Sequence, residues 1–426
     1  MFNDYQAAVD YIHSLPHLHK ENSLKYVKRV IAQIPGSFKT VHVTGTNGKG
    51  TVCNYLTSLL VNSGLKVGTF SSPYVKKFNE RIQLDDQPVS DKTIIDLTNS
   101  TRALVEKIQQ TDPEFFLVEF EFLVIMMYQY FIQQKVDIGV IEVGIGGEHD
   151  KTNFIDPELS IITNVGMDHM KLIGPTLKDI AQEKSGIIKT NRPVVLGEIV
   201  PDAKKILLAK AKSTDSQVIE FGKNYQVANL KVEDVDCSKF DWVNNQFKFK
   251  NIQIKSFSKY QVQDAAIAIA AFVELADLEN LKVSEKVVRQ SLKIDGLPAR
   301  TQIIAKDPLI ILDGAHNVPA ITDLITSLTK IRQGRRVVVL YAAMKDKQRT
   351  KILKKLNNFA NLVIVTTTDE KRAADSSDYQ LDNSKDEFVG VWQLAFAQAM
   401  NSLDSDSMLI ITGSLHFAGA ILNLLS

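Results

Sequence analysis

A lysine stands among three glycines in the segment VHVTGTNGKGTV, which runs from Val41 to Val52. Glycines let the backbone turn tightly and point N–H groups at an anion, and a following helix adds the positive end of its dipole. In such a loop the lysine reaches the β- and γ-phosphates of a nucleotide. The residues that we expect to bind the nucleotide in this loop are Thr46, Asn47, Gly48, Lys49, Gly50 and Thr51.

The loop lacks its usual metal ligand. In the common pattern a hydroxyl residue follows the lysine directly and binds Mg²⁺, whereas here Gly50 takes that place and Thr51 comes one residue late. A carboxylate at the carboxyl end of a neighbouring parallel strand can bind the ion instead. Glu142 ends such a run and its neighbours are apolar or glycine, so we predict a metal ligand there rather than a solvated glutamate.

Three further residues are candidates for chemistry at the same edge of the sheet. Asp168 and His169 follow the next apolar run, and Lys184 lies on a helical segment that returns toward that edge. Magnesium prefers oxygen ligands. The pattern therefore leaves open whether His169 binds a second Mg²⁺ or hydrogen-bonds a phosphate, and Lys184 by itself indicates a surface lysine or a phosphate contact.

Short apolar runs alternate with helix-length periodic segments, which is typical of an α/β fold with a largely parallel sheet. The first half contains a strand, the glycine-rich loop and an amphipathic helix in the order that phosphate binding requires, and Gly64 is expected to end that helix. We expect N-terminal strands at Thr40–Thr44, Lys66–Phe70, Val136–Val143, Leu159–Val165 and Arg192–Gly197.

A second, smaller α/β domain is predicted after the glycine- and proline-containing segment DGLPAR. We expect a large P-loop domain over residues 1–294, a linker over 295–300 and a Rossmann-like domain over 301–426. Strands of the second domain are expected at Pro308–Asp313, Arg336–Tyr341, Asn361–Thr367 and Ser407–Thr412.

Composition restricts the function. The 50 Lys and Arg residues nearly balance 49 Asp and Glu residues, which gives no broad electrostatic reason to expect nucleic acid or a membrane as partner. Cys53 and Cys237 have no metal-ligand or disulfide pattern, and the N-terminus shows no export segment, so we expect a cytoplasmic protein. The apolar run Phe122–Ile132 is too short to span a membrane and predicts a buried helix. A guanine-specific switch is disfavoured, since the nearest match to its base-binding motif, Gln134–Asp137, precedes its strand.

The chain resembles the folylpolyglutamate synthases, within the Mur-ligase superfamily of ATP-dependent amide ligases. The resemblance covers nearly the whole chain and follows the family's motif order. It rests on HVTGTNGKGT, SSPYVKKFNERI (Ser71–Ile82), EVGIGG, the segment Met167–Lys189, LPAR, DGAHN (Asp313–Asn317) and ITGSL (Ile411–Leu415).

The resemblance assigns metal and catalytic roles. It implies that Ser72 joins Glu142 on a first Mg²⁺, and that His169 and a carbamylated Lys184 bind a second. Lys49, His169 and Lys184 are the expected catalytic residues.

Further ATP contacts are implied at Arg300, Asp313 and His316. From the residues alone, Asp313 is equally consistent with a helix N-cap and His316 with a polar residue of the first helical turn. Asp264 stands where the family usually has asparagine, which puts an acid at a nucleotide-side position.

The activity implied is the ATP-dependent addition of L-glutamate to the γ-carboxylate of a reduced folyl-(poly)glutamate, through an acyl phosphate, by a monomer. Dihydrofolate synthase, which joins dihydropteroate to glutamate, and a bifunctional enzyme share the same motifs. A cell-wall Mur ligase is disfavoured because only about forty residues precede the loop. A non-catalytic nucleotide switch would not need Glu142, His169 and Lys184 together.

Overall fold

The computed structural model describes residues 1–19, 21, 23–381 and 384–425. They form two compact units. The first comprises Met1–Val227, Trp242–Phe249 and Gln263–Leu292, and the second Ala228–Asp241, Lys250–Val262 and the chain from Lys293 onward. The predicted linker, 295–300, lies within the second unit, and the predicted domain boundaries stay a prediction.

The helices are α1 (Tyr5–Ser14), α2 (Lys25–Ile31), α3 (Lys49–Val61), α4 (Asp91–Gln109), α5 (Glu119–Gln134), α6 (Met170–Ile173), α7 (Leu177–Ser185), α8 (Pro201–Ser213), α9 (Lys259–Glu279), α10 (Glu285–Ser291), α11 (Val318–Ile331), α12 (Arg349–Phe359), α13 (Trp392–Asn401) and α14 (Leu415–Leu424). The strands are β1 (Lys39–Thr44), β2 (Val67–Phe70), β3 (Ile82–Leu84), β4 (Gln87–Pro88), β5 (Ile138–Glu142), β6 (Leu159–Ile162), β7 (Val194–Leu196), β8 (Val218–Glu220), β9 (Tyr225–Asp234), β10 (Cys237–Asn244), β11 (Lys248–Ile254), β12 (Gln302–Lys306), β13 (Leu309–Leu312), β14 (Arg336–Tyr341), β15 (Leu362–Thr366), β16 (Asp386–Val389) and β17 (Ser407–Thr412).

The first unit is built on a mainly parallel sheet, as predicted. Its strand order is β4-β3-β2-β5-β1-β6-β7-β8, and only the pairings made by β3 are antiparallel. Strand β1 lies between β5 and β6, so the loop after β1 and the carboxyl ends of its two neighbours meet at one edge of the sheet. Helix α3 begins at Lys49, directly after the loop, and Gly64 adopts a φ of +93° beyond its end.

The predicted buried helix at Phe122–Ile132 is confirmed as the central part of α5. Residues Phe122 to Met127 of this helix, and Phe131, are almost fully buried. Phe131 packs against glycine positions of two strands: a Cβ at Gly68 would lie 2.6 Å from its ring, and one at Gly139 3.4 Å away. In the described part of the chain, no helix is both long enough and apolar enough to cross a membrane.

The second unit contains a six-stranded sheet with the order β12-β13-β17-β14-β15-β16. Strand β12 pairs antiparallel with β13 and the other pairings are parallel, which confirms the predicted α/β architecture. The three-stranded sheet β11-β10-β9 was not predicted. Strand β9 of this sheet is mostly half-exposed or exposed, with only Tyr225 buried. It therefore lacks the continuous apolar run that indicates a buried strand.

Candidate active site

The loop between β1 and α3 has the backbone that a phosphate-binding loop needs. Gly48 caps α3 with a left-handed φ of +80°, and a Cβ there would lie 2.3 Å from Oδ1 of Asp264. Only glycine therefore fits at this position. Lys49 follows, with Nζ donating to the Gly45 carbonyl at 3.2 Å. The first N–H groups of α3, from Lys49 to Thr51, have no acceptor within the helix and are available to an anion.

The extension of β6 holds the first part of this loop. Thr46 donates its N–H to the Asn164 carbonyl (3.2 Å) and its hydroxyl to the Gly166 carbonyl (3.0 Å). Asn47 donates its N–H to the Asn164 side chain (3.0 Å), and its carbonyl accepts from the Thr163 hydroxyl (2.6 Å). The backbone N–H groups of Thr46 and Asn47 are thus engaged by protein, and these two residues fix the shape of the loop.

Ser72 and Glu142, the two predicted ligands of the first metal, lie together. Glu142 ends β5 beside Val43 of β1 and is 4% exposed. Its Oε2 accepts from the Ser72 N–H at 3.1 Å. Arg81 donates from Nη1 to the Ser72 hydroxyl at 3.3 Å, and burial lowers the pKa of its guanidinium. Sequence reasoning gave Arg81 no role, because nothing in its spacing shows that it folds back onto Ser72.

One pocket brings together the three predicted catalytic residues. Its wall combines the nucleotide loop, the glycine segment after β5, and residues from α6 and α7. Lys49, His169 and Lys184 all line it, and so does Asp168. His169 directly precedes α6 as its N-cap residue, with a φ of +50°, and its N–H donates to Asp168 Oδ1 at 2.8 Å. Asp168, His169 and Lys184 thus lie together near the predicted edge of the sheet, and their roles stay predictions.

Lys184 lies in an unusual environment for an amine. It is 3% exposed, and within the described residues its side chain has no hydrogen-bond or ion-pair partner. Burial, and then the nearby charge of Lys49, lower its pKa to about 7, while Asp168 acts in the opposite direction. A large fraction of this lysine is consequently neutral near pH 7, and the neutral amine is the form that can attack a carbonyl carbon or CO₂.

A buried network supports the glycine segment of the pocket. Asp150 accepts from the Ile145 N–H at 2.9 Å and from the Thr152 hydroxyl at 2.5 Å. The Thr152 oxygen in turn accepts from Nε2 of His42 at 2.8 Å, since its own proton points to Asp150. Gly147 contacts the backbone of α7 so closely that a Cβ would lie 2.5 Å from the Glu183 carbonyl. Sequence reasoning did not identify this network, whose members are separated along the chain.

Within the second unit, Asp313 contacts the segment that carries Arg300. Its Oδ2 accepts from the Thr301 N–H (2.7 Å) and the Tyr260 hydroxyl (2.7 Å), and its Oδ1 accepts from the Ala315 N–H (2.8 Å). The helix N-cap interpretation of Asp313 is wrong, because Asn317 caps α11 by accepting from Ala320 N–H.

His316 precedes α11, which begins at Val318, so the interpretation as a first-turn residue is wrong as well. Its Nδ1 lies 2.9 Å from the Gly314 carbonyl.

The donor atoms decide which metal the site can take. Among the described residues, no three His, Cys, Asp or Glu side chains come close enough together to hold a metal ion. A serine hydroxyl and a carboxylate beside a phosphate loop nevertheless fit Mg²⁺, which binds proteins through one or two oxygen ligands and keeps phosphate oxygens and waters. A neutral or protonated Lys184 offers no oxygen, so this lysine can provide oxygen to a second Mg²⁺ only if it is carbamylated.

Comparison with known proteins gives the class of this site. Residues 43–272 match the Mur ligase middle domain, and residues 299–415 match the Mur ligase glutamate ligase domain. The loop with Lys49, the strand-end Glu142 and Lys184 all fall within the first match. These matches place the chain among the Mur ligases.

Individual relatives narrow the class to a family. The chain is 35% identical to folylpolyglutamate synthase of Lacticaseibacillus casei over 98% of each protein. It is 30% identical to the dihydrofolate synthase/folylpolyglutamate synthase of Bacillus subtilis over 99% of each. A solved complex of FPGS (folylpolyglutamate synthase) with AMPPCP and folate superimposes with a TM-score of 0.90, at 34% identity and 99% coverage of both chains. The chain belongs to the folylpolyglutamate synthase family.

Proposed function

We propose that this chain is an ADP-forming amide ligase that adds L-glutamate to the γ-carboxylate of a tetrahydrofolyl-(poly)glutamate. The observation that carries the proposal is the pocket in which Lys49 of the phosphate loop meets His169 and the buried Lys184. Likeness over the full length of a folylpolyglutamate synthase, and to a complex with an ATP analogue and folate, supports the choice of substrates.

The first step joins two anions. An oxygen of the folate γ-carboxylate attacks the γ-phosphorus of ATP, and the bond between this phosphorus and the β,γ-bridging oxygen breaks. The products are ADP, which is the leaving group, and an acyl phosphate. Little covalent chemistry is required of the protein, which must neutralise and align the reactants. In this proposal, Lys49, the N–H groups at the start of α3 and the Arg300 guanidinium supply positive charge to the phosphates. Asp313 and His316 are proposed as further ATP contacts.

Magnesium would be held by Ser72 and Glu142, and by His169 with carbamylated Lys184 at a second site. When bound, it would neutralise charge on the β- and γ-phosphates. Carbamylation changes a cation into an anion with two oxygen donors, and the low pKa of Lys184 favours the amine form that this modification requires.

The second step forms the amide. The neutral amine of L-glutamate attacks the acyl carbonyl carbon, the bond to the phosphate oxygen breaks, and inorganic phosphate leaves with one oxygen of the former carboxylate. The amine must lose a proton in this step. His169 lines the pocket and could accept that proton, and a bound water is the alternative.

The acyl-phosphate route is tested with ¹⁸O in the γ-carboxylate of the folate substrate. We expect one ¹⁸O atom to appear in each inorganic phosphate released, and ADP to form in equal amount to the new amide. Unlabelled phosphate would exclude the acyl phosphate, and ADP release without glutamate addition would support a nucleotide switch instead.

A second candidate is a bifunctional enzyme that also makes dihydrofolate from dihydropteroate. The observation that favours it is the 30% identity to the Bacillus subtilis relative, which is named for both activities. We propose a monomer that acts in the cytoplasm, with reduced folate, L-glutamate and ATP as its partners.

A further inference from the structure

The backbone on both sides of Arg300 is held in an unfavourable conformation. Ala299 has a φ of +57° and Thr301 a φ of +44°, in the left-handed region, and both residues are buried. A β-branched residue in this region is a genuine outlier. Such a conformation is energetically unfavourable and persists only where surrounding contacts enforce it.

The contacts that enforce it converge on Thr301 and on the Arg300 carbonyl. The Thr301 hydroxyl oxygen accepts from Ser258 (2.9 Å) and from Nε2 of Gln261 (2.8 Å), and the same Nε2 donates to the Arg300 carbonyl (2.7 Å). The Thr301 N–H donates to Asp313. Both the C=O and the N–H of the peptide group that follows Arg300 are therefore fixed.

Tyr260 completes this arrangement through Asp313. Its hydroxyl donates to the same oxygen, Oδ2, that accepts from Thr301, at the same distance of 2.7 Å. Asp313 is 3% exposed, and burial raises the pKa of its carboxyl while the Tyr260 hydroxyl opposes that shift. A buried carboxylate depends strongly on each such donor, so the hydroxyl of Tyr260 helps to keep Asp313 ionised and in place.

The charge of Arg300 lowers the pKa of Asp313, but no hydrogen bond holds the Arg300 side chain within the described residues. Its guanidinium is partly exposed and, across the described residues, makes no hydrogen bond or ion pair. A cation on a rigid, strained main chain, with no hydrogen bond from its guanidinium, is suited to meeting an anion that arrives with the substrate.

We propose that Tyr260 is a positioning residue for ATP: through Asp313 and Thr301 it fixes the main chain from which Arg300 reaches the phosphates. This inference rests on the proposed function, which places Arg300 at the phosphates of ATP. It assigns Tyr260 no contact with substrate.

The test is a double-mutant cycle of Tyr260→Phe and Arg300→Met, read by titration calorimetry with Mg²⁺ and AMPPCP and by the KM for each substrate. We expect Tyr260→Phe to raise the Kd for AMPPCP and the KM for ATP about tenfold, the scale of one hydrogen bond to a charged group. The KM values for folate and glutamate should change less than twofold. In the Arg300→Met background, Tyr260→Phe should change neither the Kd for AMPPCP nor the KM for ATP any further.

Tyr225→Phe is the matched control, because Tyr225 also donates a buried hydroxyl, to the Leu196 carbonyl at 3.0 Å. It should lower the thermal midpoint as Tyr260→Phe does and leave the KM for ATP unchanged. Equal effects of Tyr260→Phe with and without Arg300 would overturn the positioning role, and so would an unchanged KM for ATP. If the wild-type chain binds AMPPCP but forms no amide, the proposed function fails while the binding cycle still decides the role of Tyr260.

Discussion

Lys184 is a buried amine that faces a pocket already occupied by the charge of Lys49. Removing one charge-stabilising group from a transition state typically costs two to three orders of magnitude in rate. We therefore expect Lys184→Met, which keeps the length of the side chain, to lower kcat for amide formation at least about 100-fold. The thermal midpoint should not fall, because the substitution removes a desolvated polar group rather than a contact.

Lys178→Met is the control for this experiment, since Lys178 is an exposed residue of the same helix, α7. Its activity should stay within twofold of the wild type. Wild-type kcat in Lys184→Met would show that the amine, carbamylated or not, is not required for the reaction.

His42 is a buried histidine whose burial lowers its pKa to about 3. In the unfolded chain the ring has an ordinary pKa of about 6.5. The folded state thus binds fewer protons, and the stability that the neutral ring contributes is present above pH 6.5 and is lost as the pH falls toward 3. Between pH 7 and pH 4.5 this loss is about 2–3 kcal/mol in the free energy of unfolding.

Urea unfolding of the wild type and of His42→Gln at these two pH values tests the prediction. The glutamine amide can still donate to Thr152 but does not titrate. The difference in the free energy of unfolding between the wild type and His42→Gln should therefore fall by about 2–3 kcal/mol from pH 7 to pH 4.5. The exposed His17→Gln serves as control. Parallel pH dependence in wild type and His42→Gln would show that the buried ring does not control acid stability.

Among the elements, the phosphate loop depends both on residues that are adjacent in sequence and on one contact with a distant residue. The glycines, the lysine and the helix that follows are all evident in the sequence, because a tight turn and a helix N-terminus have local signatures. The closeness of Asp264 to Gly48 has no such signature. It depends on α9, more than two hundred residues later in the chain.

This contact gives a prediction for Gly48→Ala. The change combines a positive φ with a Cβ placed 2.3 Å from the Asp264 carboxylate, so it should weaken AMPPCP binding at least tenfold and lower stability by more than the φ cost of about 1 kcal/mol. Gly64→Ala isolates that φ cost, because Gly64 has a φ of +93° and nothing within 4 Å of a Cβ. Equal losses of stability in the two variants would mean that the loop yields to the added methyl group.

The strands also fall into two groups, those that the sequence pattern predicts and those that depend on contacts with other strands. Strands β5, β14 and β17 are almost entirely buried and contain runs of apolar residues, and all three were predicted close to their observed bounds. Strands β9 to β11 carry exposed or half-buried residues at many positions. Their pairing is decided by contacts between strands rather than by a run of apolar residues, so the sequence pattern gave no indication of this sheet.

At the scale of the whole molecule, the site depends on groups that the order of strands brings together. The sheet-edge rule predicted Glu142 and the region of Asp168 and His169 from their positions after strands, and the structure places them there. The pairing of Ser72 with Glu142 followed from family resemblance alone. Arg81, Asp150 and Tyr260 were missed, because each acts through a hydrogen bond to another residue that no motif or spacing in the sequence indicates.

The central claim is tested most directly by the products of two parallel reactions. Each contains the purified chain, ATP, Mg²⁺ and L-glutamate, with a tetrahydrofolate in one and dihydropteroate in the other, and products are resolved by mass. We predict glutamate addition to the tetrahydrofolate, with one ADP per amide, and addition to both substrates would define the bifunctional enzyme. Addition to dihydropteroate alone would contradict polyglutamate synthesis, and addition to neither would contradict the whole account.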